Sequence, residues 1–213
     1  MTARTIADLP LFPLNTVLFP GGVLPLQIFE VRYLHLIGKC RREQSPFGVV
    51  SLIRGSEVIK AGAPPGDAEV LHEIGTLARI VEYAAPMPGL MRIRCLGAER
   101  FRIRRQSRGP QGLWVADVER LEPDPATAIP PELAGIAAKL GRLIHALQER
   151  GLGDSQMPIR PPYELEDCAW VANRWSELLP LAPALRQDLL TQESPLLRLE
   201  LIDDILDKTD LPF

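Results

Sequence analysis

The chain has 213 residues, 46% hydrophobic and 24% charged, with a formal net charge of −3. That balance supplies apolar surface for a core and excludes a disordered chain. No apolar run approaches the ~20 residues of a membrane-crossing helix, and three cysteines without a CxxC pair exclude a disulfide framework and a cysteine zinc site.

The charge is unevenly placed. Residues 1–121 hold 16 basic against 11 acidic side chains, whereas residues 122–213 hold 8 against 16, which suggests two units. The N-terminus, with only Arg4 before Asp8, lacks a signal-peptide pattern. Cys40, Cys95 and Cys168 sit among apolar neighbours, so buried free thiols and a reducing, cytoplasmic setting are expected.

Residues 1–121 read as β-rich. Short apolar runs (9–12, 17–19, 24–28, 47–53, 76–83, 90–96, 101–105 and 113–121) are separated by glycine- and proline-rich turns. Arg92, Arg94, Arg100, Arg102 and Arg104 alternate with Ile93, Cys95, Phe101 and Ile103, the period-two pattern of strands with one face in water. Many short strands with such turns predict a small closed or nearly closed barrel. One helix interrupts them from Glu30 to about Arg42, with Leu34, Ile37 and Arg41 at steps of three and four.

Residues 122–131 hold four prolines and are expected to be a stiff linker. Beyond it, Leu133, Ile136, Leu140, Leu143, Ile144 and Leu147 predict an amphipathic helix over residues 132–150. Further helices are expected over 166–179 and 183–191. A last one follows the Ser194 cap and Pro195 to about Lys208, with Leu197, Leu201 and Ile205 as its apolar stripe. The fold class is therefore α+β, with a barrel over 1–121 and a helical bundle over 132–213.

Catalytic patterns fail residue by residue. Gly38-Lys39 has Tyr33 where a phosphate loop needs glycine and Cys40 where it needs Ser or Thr. The Gly151 to Gln156 run lacks the third glycine of a dinucleotide fingerprint, and Gln156 takes the place of the glycine that Gly153-Asp154-Ser155 would need as a nucleophile turn. His35, His72 and His145 are scattered, and His72-Glu73 has Thr76 in place of a second histidine. No catalytic residue, metal or cofactor is expected.

Three segments carry a recognisable pattern: LPLFPLNTVLFPG from Leu9 with LPLQIFEVRY from Leu24, then FGVV from Phe47 with GTLARI from Gly75, then GAERFRI from Gly97. In this order they resemble the N-terminal, substrate-binding domain of Lon proteases, and AWVANRWSELLPL from Ala169 resembles the helical segment that follows it. The resemblance implies a PUA-like pseudo-barrel followed by a helical bundle, and recognition of unfolded peptide segments or a protein partner. It implies a free-standing member of that family, because the ATPase and the serine–lysine protease of Lon have no counterpart here.

The signature residues Pro13, Pro20, Gly21, Phe29, Glu30, Arg32, Tyr33, Gly48, Gly75 and Phe101 are expected to define the fold. The prolines keep the chain extended, Gly21 permits a turn, and Phe29 anchors the helix start. Glu30 suits the helix N-terminus and can pair with Arg32, while Tyr33 and Phe101 fill the core. Where family members often carry proline after the glutamate, this chain has Val31. The five arginines of the alternating run are the candidate partner-binding residues. They would equally serve an alternative function, RNA or single-stranded nucleic-acid binding. An unrecognised hydrolase or small-molecule-binding protein is the third reading.

Overall fold

A computed structural model describes residues 4–54, 69–153 and 156–209. The chain divides into two compact units, Met1–Pro123 and Asp124–Phe213. The division falls inside the predicted linker.

The first unit contains β1 (Thr5–Leu14), β2 (Val23–Ile28), α1 (Val31–Glu43), β3 (Phe47–Arg54), β4 (Val70–Leu71), β5 (Ile74–Met87), β6 (Leu90–Arg108) and β7 (Trp114–Arg120). Strands pair in the order β1-β7-β6-β5-β3, and β1 also pairs with β3 in parallel. The five strands therefore form a closed circuit, which removes their free edges along the paired lengths. β4 pairs with β3, and β2 pairs with the first part of β6. β6 runs through both of the segments expected as separate strands, from Leu90 to Arg108.

Alternation along these strands feeds two cores. Leu9, Leu11, Val50, Leu77, Phe101 and Val118 belong to one, which takes residues from all five strands of the circuit, as its interior must. Phe12, Phe47, Val49, Ala78, Ile93 and Cys95 belong to the other, which α1 closes with Tyr33, Leu36, Ile37 and Cys40. The α1 stripe is thus displaced from the one expected: Leu34 is only partly buried, and Tyr33 and Leu36 flank Ile37 instead. The helix ends at Gln44, whose φ of 50° turns the chain and whose N–H bonds Cys40 O.

The second unit contains α2 (Ala134–Glu149), α3 (Cys168–Leu178), α4 (Pro183–Thr191) and α5 (Pro195–Asp207). α3 contacts each of the other three, and eight of its eleven residues are buried. Asp167 caps it by accepting from Trp170 N at 2.8 Å, and Ser194 caps α5 by accepting from Leu197 N at 3.3 Å. The apolar stripe of α5 corrects the expected one. Leu199, Ile202 and Leu206 are buried, whereas Leu197 and Leu201 are 43% and 40% exposed. The rotation has a cause in Arg198, which is drawn inward to Asp124 at 2.7 Å and Asn173 at 2.9 Å.

The proline-rich segment is not a spacer. Thr127 N donates to Asp167 Oδ2 at 3.0 Å, Ala128 bridges to Asp167, Cys168 N donates to Thr127 O at 2.8 Å, and Ile129 N donates to Glu166 O at 3.1 Å. Residues 124–129 are thereby strapped to the helical unit. Its prolines exclude helix and hold the strap extended. All three cysteines are buried free thiols.

Candidate functional site

The signature segment after β2 builds the start of α1. Tyr33 stacks on Phe12 with ring centroids 4.0 Å apart and planes 12° apart. The buried Arg32 guanidinium lies over the same tyrosine ring at 4.4 Å and donates through Nε to Glu30 Oε2 at 3.0 Å. Glu30 therefore sits at the N-cap position but spends its carboxylate on Arg32, with no side-chain cap bond. Burial pushes the Tyr33 phenol up from 10.0 to about 12, and Arg32 beside it opposes the shift.

The sign of that shift gives a test. The folded state holds the phenolic proton more tightly than the unfolded state, so the contribution is complete below pH 10.0 and is lost as pH rises towards about 12. The tyrosinate absorbance titration of the wild type minus that of Tyr33→Phe should isolate a late step near 12. A difference step at the ordinary tyrosine position would contradict the placement.

Phe101 lies in the interior of the circuit, wholly buried. Gly48 and Gly75 stand over its ring. A Cβ on Gly48 would approach Phe101 Cζ to 2.8 Å, and one on Gly75 to 2.7 Å. Gly21 has φ 75° and donates to Gly97 O at 2.9 Å, which closes the turn after Pro20 onto β6. Pro13 is buried within β1, opposite Val50. Phe29 is different: it is 57% exposed, so it does not anchor the helix. Its neighbours Ile28 and Arg32 point inward instead.

The five arginines do not form one free cationic face. Arg94 pairs with Glu82 at 3.0 Å, Arg104 pairs with Glu119, and Arg100 is buried. Arg102 is partly buried and opposite Glu119 in register, and Arg92 is exposed. A register shift between Ile103 and Arg105 further breaks the alternation. The cross-strand carboxylates lower the potential that this run offers a phosphate.

The structure does bring together apolar residues at the other end of the same strands. Ile28, the last residue of β2, pairs with Met91, so Phe29 and Val31 emerge beside the β5–β6 hairpin. Val31 is 61% and Met87 59% exposed. Leu34 and residues 85–91 line a cleft of about 430 Å³ there. A second cleft of about 450 Å³ lies farther along, between Cys40, Arg41, Gln44 and Ser45 on one side and residues 79–83 on the other. The two clefts follow α1 from its first turns to its last, with β5 alongside. Arg41 stacks on Tyr83 at 4.1 Å within the second.

This groove was not foreseen. Residues 86–89 read as a turn between the runs 76–83 and 90–96, and only the alanine, proline, methionine and leucine around it could signal an exposed apolar tip. Among the described residues, no three His, Cys, Asp or Glu side chains gather as a metal site, and no helix is long and apolar enough to cross a membrane. His35 approaches Gln111 at 3.2 Å and His145 approaches Glu149 at 3.3 Å, both at exposed positions. Asp154 and Ser155 of the tested nucleophile turn lie outside the described residues.

A closed β circuit with a helix over one face and a separate helical unit defines an α+β fold. The profile of the ATP-dependent protease La (LON) substrate-binding domain matches residues 8–208, and the chain belongs to that family. It is 32% identical over 197 residues to a Lon protease of Paraburkholderia phytofirmans, covering 89% of this chain and 23% of that protein. It is 30% identical over 166 residues to a Lon protease of Phenylobacterium zucineum, covering 76% and 19%. The chain thus spans about a fifth of the length of these relatives. The crystal structure of a Lon N-terminal domain protein from Xanthomonas campestris superposes with a TM-score of 0.70 at 34% identity, covering 93% of this chain and 98% of that one. The N-terminal domain of a Mycobacterium avium complex Lon protease shares the fold, with a TM-score of 0.56 at 18% identity.

Proposed function

We propose that this chain is a non-catalytic recognition module that binds exposed apolar segments of unfolded polypeptides or of a protein partner, in the cytoplasm. The observation that carries this reading is the cleft lined by Leu34 and residues 85–91, in which Met87 is 59% exposed, near the exposed Phe29 and Val31 that follow the Ile28–Met91 pair. Exposed apolar residues grouped around a cleft mark an interaction surface where single ones do not. Membership of a substrate-binding family supports a polypeptide as the occupant. The closed strand circuit supports a PUA-like pseudo-barrel, and the packing around α3 supports a helical bundle.

The test is titration of a fluorescently labelled, reduced and alkylated protein into the chain, followed by anisotropy. The Val31→Asp, Met87→Asp double variant should bind about thirtyfold more weakly, since two buried side-chain contacts of roughly 1 kcal/mol each are lost. Both positions are at the surface, so the variant keeps its fold, which circular dichroism verifies. Unchanged affinity would remove this surface from the reading, and absence of saturable binding by the wild type would remove the function. Binding of single-stranded DNA that weakens steeply with salt would favour the nucleic-acid reading instead.

A further inference from the structure

We propose that the groove between α1 and β5 accepts an extended polypeptide segment as an added β-strand. Its apolar residues would lie at the hairpin end and an acidic residue beside Arg41 and Arg79. The proposal rests on the recognition reading above and gives it a backbone geometry and a charge polarity.

The first support is an open edge. β5 has 14 residues, yet it pairs with β3 only through Thr76, Leu77 and Ala78. From Arg79 to Met87 it pairs with β6 on one side, and among the described residues no strand pairs with its other side. An edge of this kind presents a row of backbone donors and acceptors to an incoming strand.

The second support is space along that edge. Two clefts take lining residues from this stretch, one of about 450 Å³ with residues 79–83 and one of about 430 Å³ with residues 85–91. The edge from Arg79 to Met87 spans about 26 Å at ~3.3 Å per residue, enough for a segment of about eight residues.

The third support is charge. At the end away from the hairpin, Arg41 and Arg42 occupy the last turn of α1, and the Arg79 side chain is 63% exposed, with Glu99 no nearer than 4.0 Å. The carboxylate in the cleft lining, Glu82, is held by Arg94 at 3.0 Å. An acid on the occupant complements this end, and its apolar residues complement Leu34 and Met87 at the other. A register shift places an extra residue, Val81, on β5 between Ile80 and Glu82. A second shift falls between Ala84 and Met87, around Pro86, which has no N–H, so the added strand pairs in short stretches on either side of Val81 and loses pairing beyond Ala84.

The probes are three fluorescein-labelled octapeptides of alternating residues. One is valine-rich in its first half with two glutamates in its second, one has lysines for the glutamates, and one repeats the first with alternate backbone amides N-methylated. By anisotropy with the full chain, the lysine peptide and the N-methylated peptide should each bind about tenfold more weakly than the glutamate peptide. Arg41→Glu combined with Arg79→Glu should reverse the preference between glutamate and lysine. Arg41→Gln with Arg79→Gln should level it, and thermal unfolding checks that both variants remain folded.

Equal affinity for the glutamate and lysine peptides, or no effect of N-methylation, overturns strand addition. If the peptides still respond to Val31→Asp with Met87→Asp in that case, apolar recognition stands without it. If none of the peptides binds while the alkylated protein does, strand addition falls alone. If neither binds, both readings fall.

Discussion

Asp124→Ala is expected to destabilise the helical unit by about 3–5 kcal/mol, the cost of leaving a buried cation without its partner. Arg198 is 1% exposed, and its Nη1 donates to Asp124 Oδ2 at 2.7 Å while Nη2 reaches Asp124 Oδ1 at 3.4 Å. Nη1 also donates to Asn173 Oδ1 at 2.9 Å, and Nη2 to the carbonyl of Gln192. Removing the carboxylate strips the guanidinium of its counter-charge but not of its burial. Replacing both charges, as Asp124→Leu with Arg198→Met, should recover part of the loss, because no charge is then stranded. The recovery is partial because Asn173 and the Gln192 carbonyl lose their donor. Urea unfolding of a Trp114→Phe background reads this unit alone, since Trp170 and Trp175 both lie in α3. A loss below about 1 kcal/mol for Asp124→Ala would mean that the pair behaves as a solvent-screened surface pair.

Phe101→Ala is expected to cost the first unit about 3–5 kcal/mol, from lost transfer energy and the cavity left behind. The cavity cannot collapse easily. Gly48 and Gly75 approach the ring with no side chain to move inward, and the surrounding strands are fixed by pairing on both sides. Phe101→Leu should cost less, because it leaves less empty volume. Gly75→Ala should be destabilising as well, since its Cβ would press on both the ring and the Val49 carbonyl. In a Phe101→Ala background part of that penalty should disappear, a coupling that a double-mutant cycle measures. Additive costs would show that the glycine is required for some other reason. Amide hydrogen exchange across β5 and β6 follows the stability of this unit.

Local pattern made much of this molecule legible. The prolines and glycines bounding short apolar runs marked the β-rich half, and the Ser194-Pro195 pair marked the start of the last helix to the residue. Long-range choices were not legible. The α5 sequence contains two apolar stripes one position apart, Leu197 with Leu201 and Leu199 with Ile202 and Leu206. Only the partner of Arg198, 74 residues earlier, decides between them. Phe29 shows the same gap on the barrel side: a phenylalanine next to a helix start reads as an anchor, yet the register of Ile28 with Met91 sends it outward. The arginine run reads as an even face. Cross-strand carboxylates and a bulge, neither visible in a single strand, neutralise and distort it. The groove has no local signal because it is made by what β3 stops short of covering, and strand lengths of partners are not written in β5.

The strap also bears on how these units could be exchanged between proteins. Proline-rich segments invite cutting, and the natural place to cut would be after Pro131. A helical unit transplanted from there would arrive without Asp124, without the Thr127 and Ala128 contacts at the start of α3, and with Arg198 stranded in its centre. The portable module begins before the prolines, between Leu121 and Asp124, and a chimera that respects that boundary carries its own counter-ion with it.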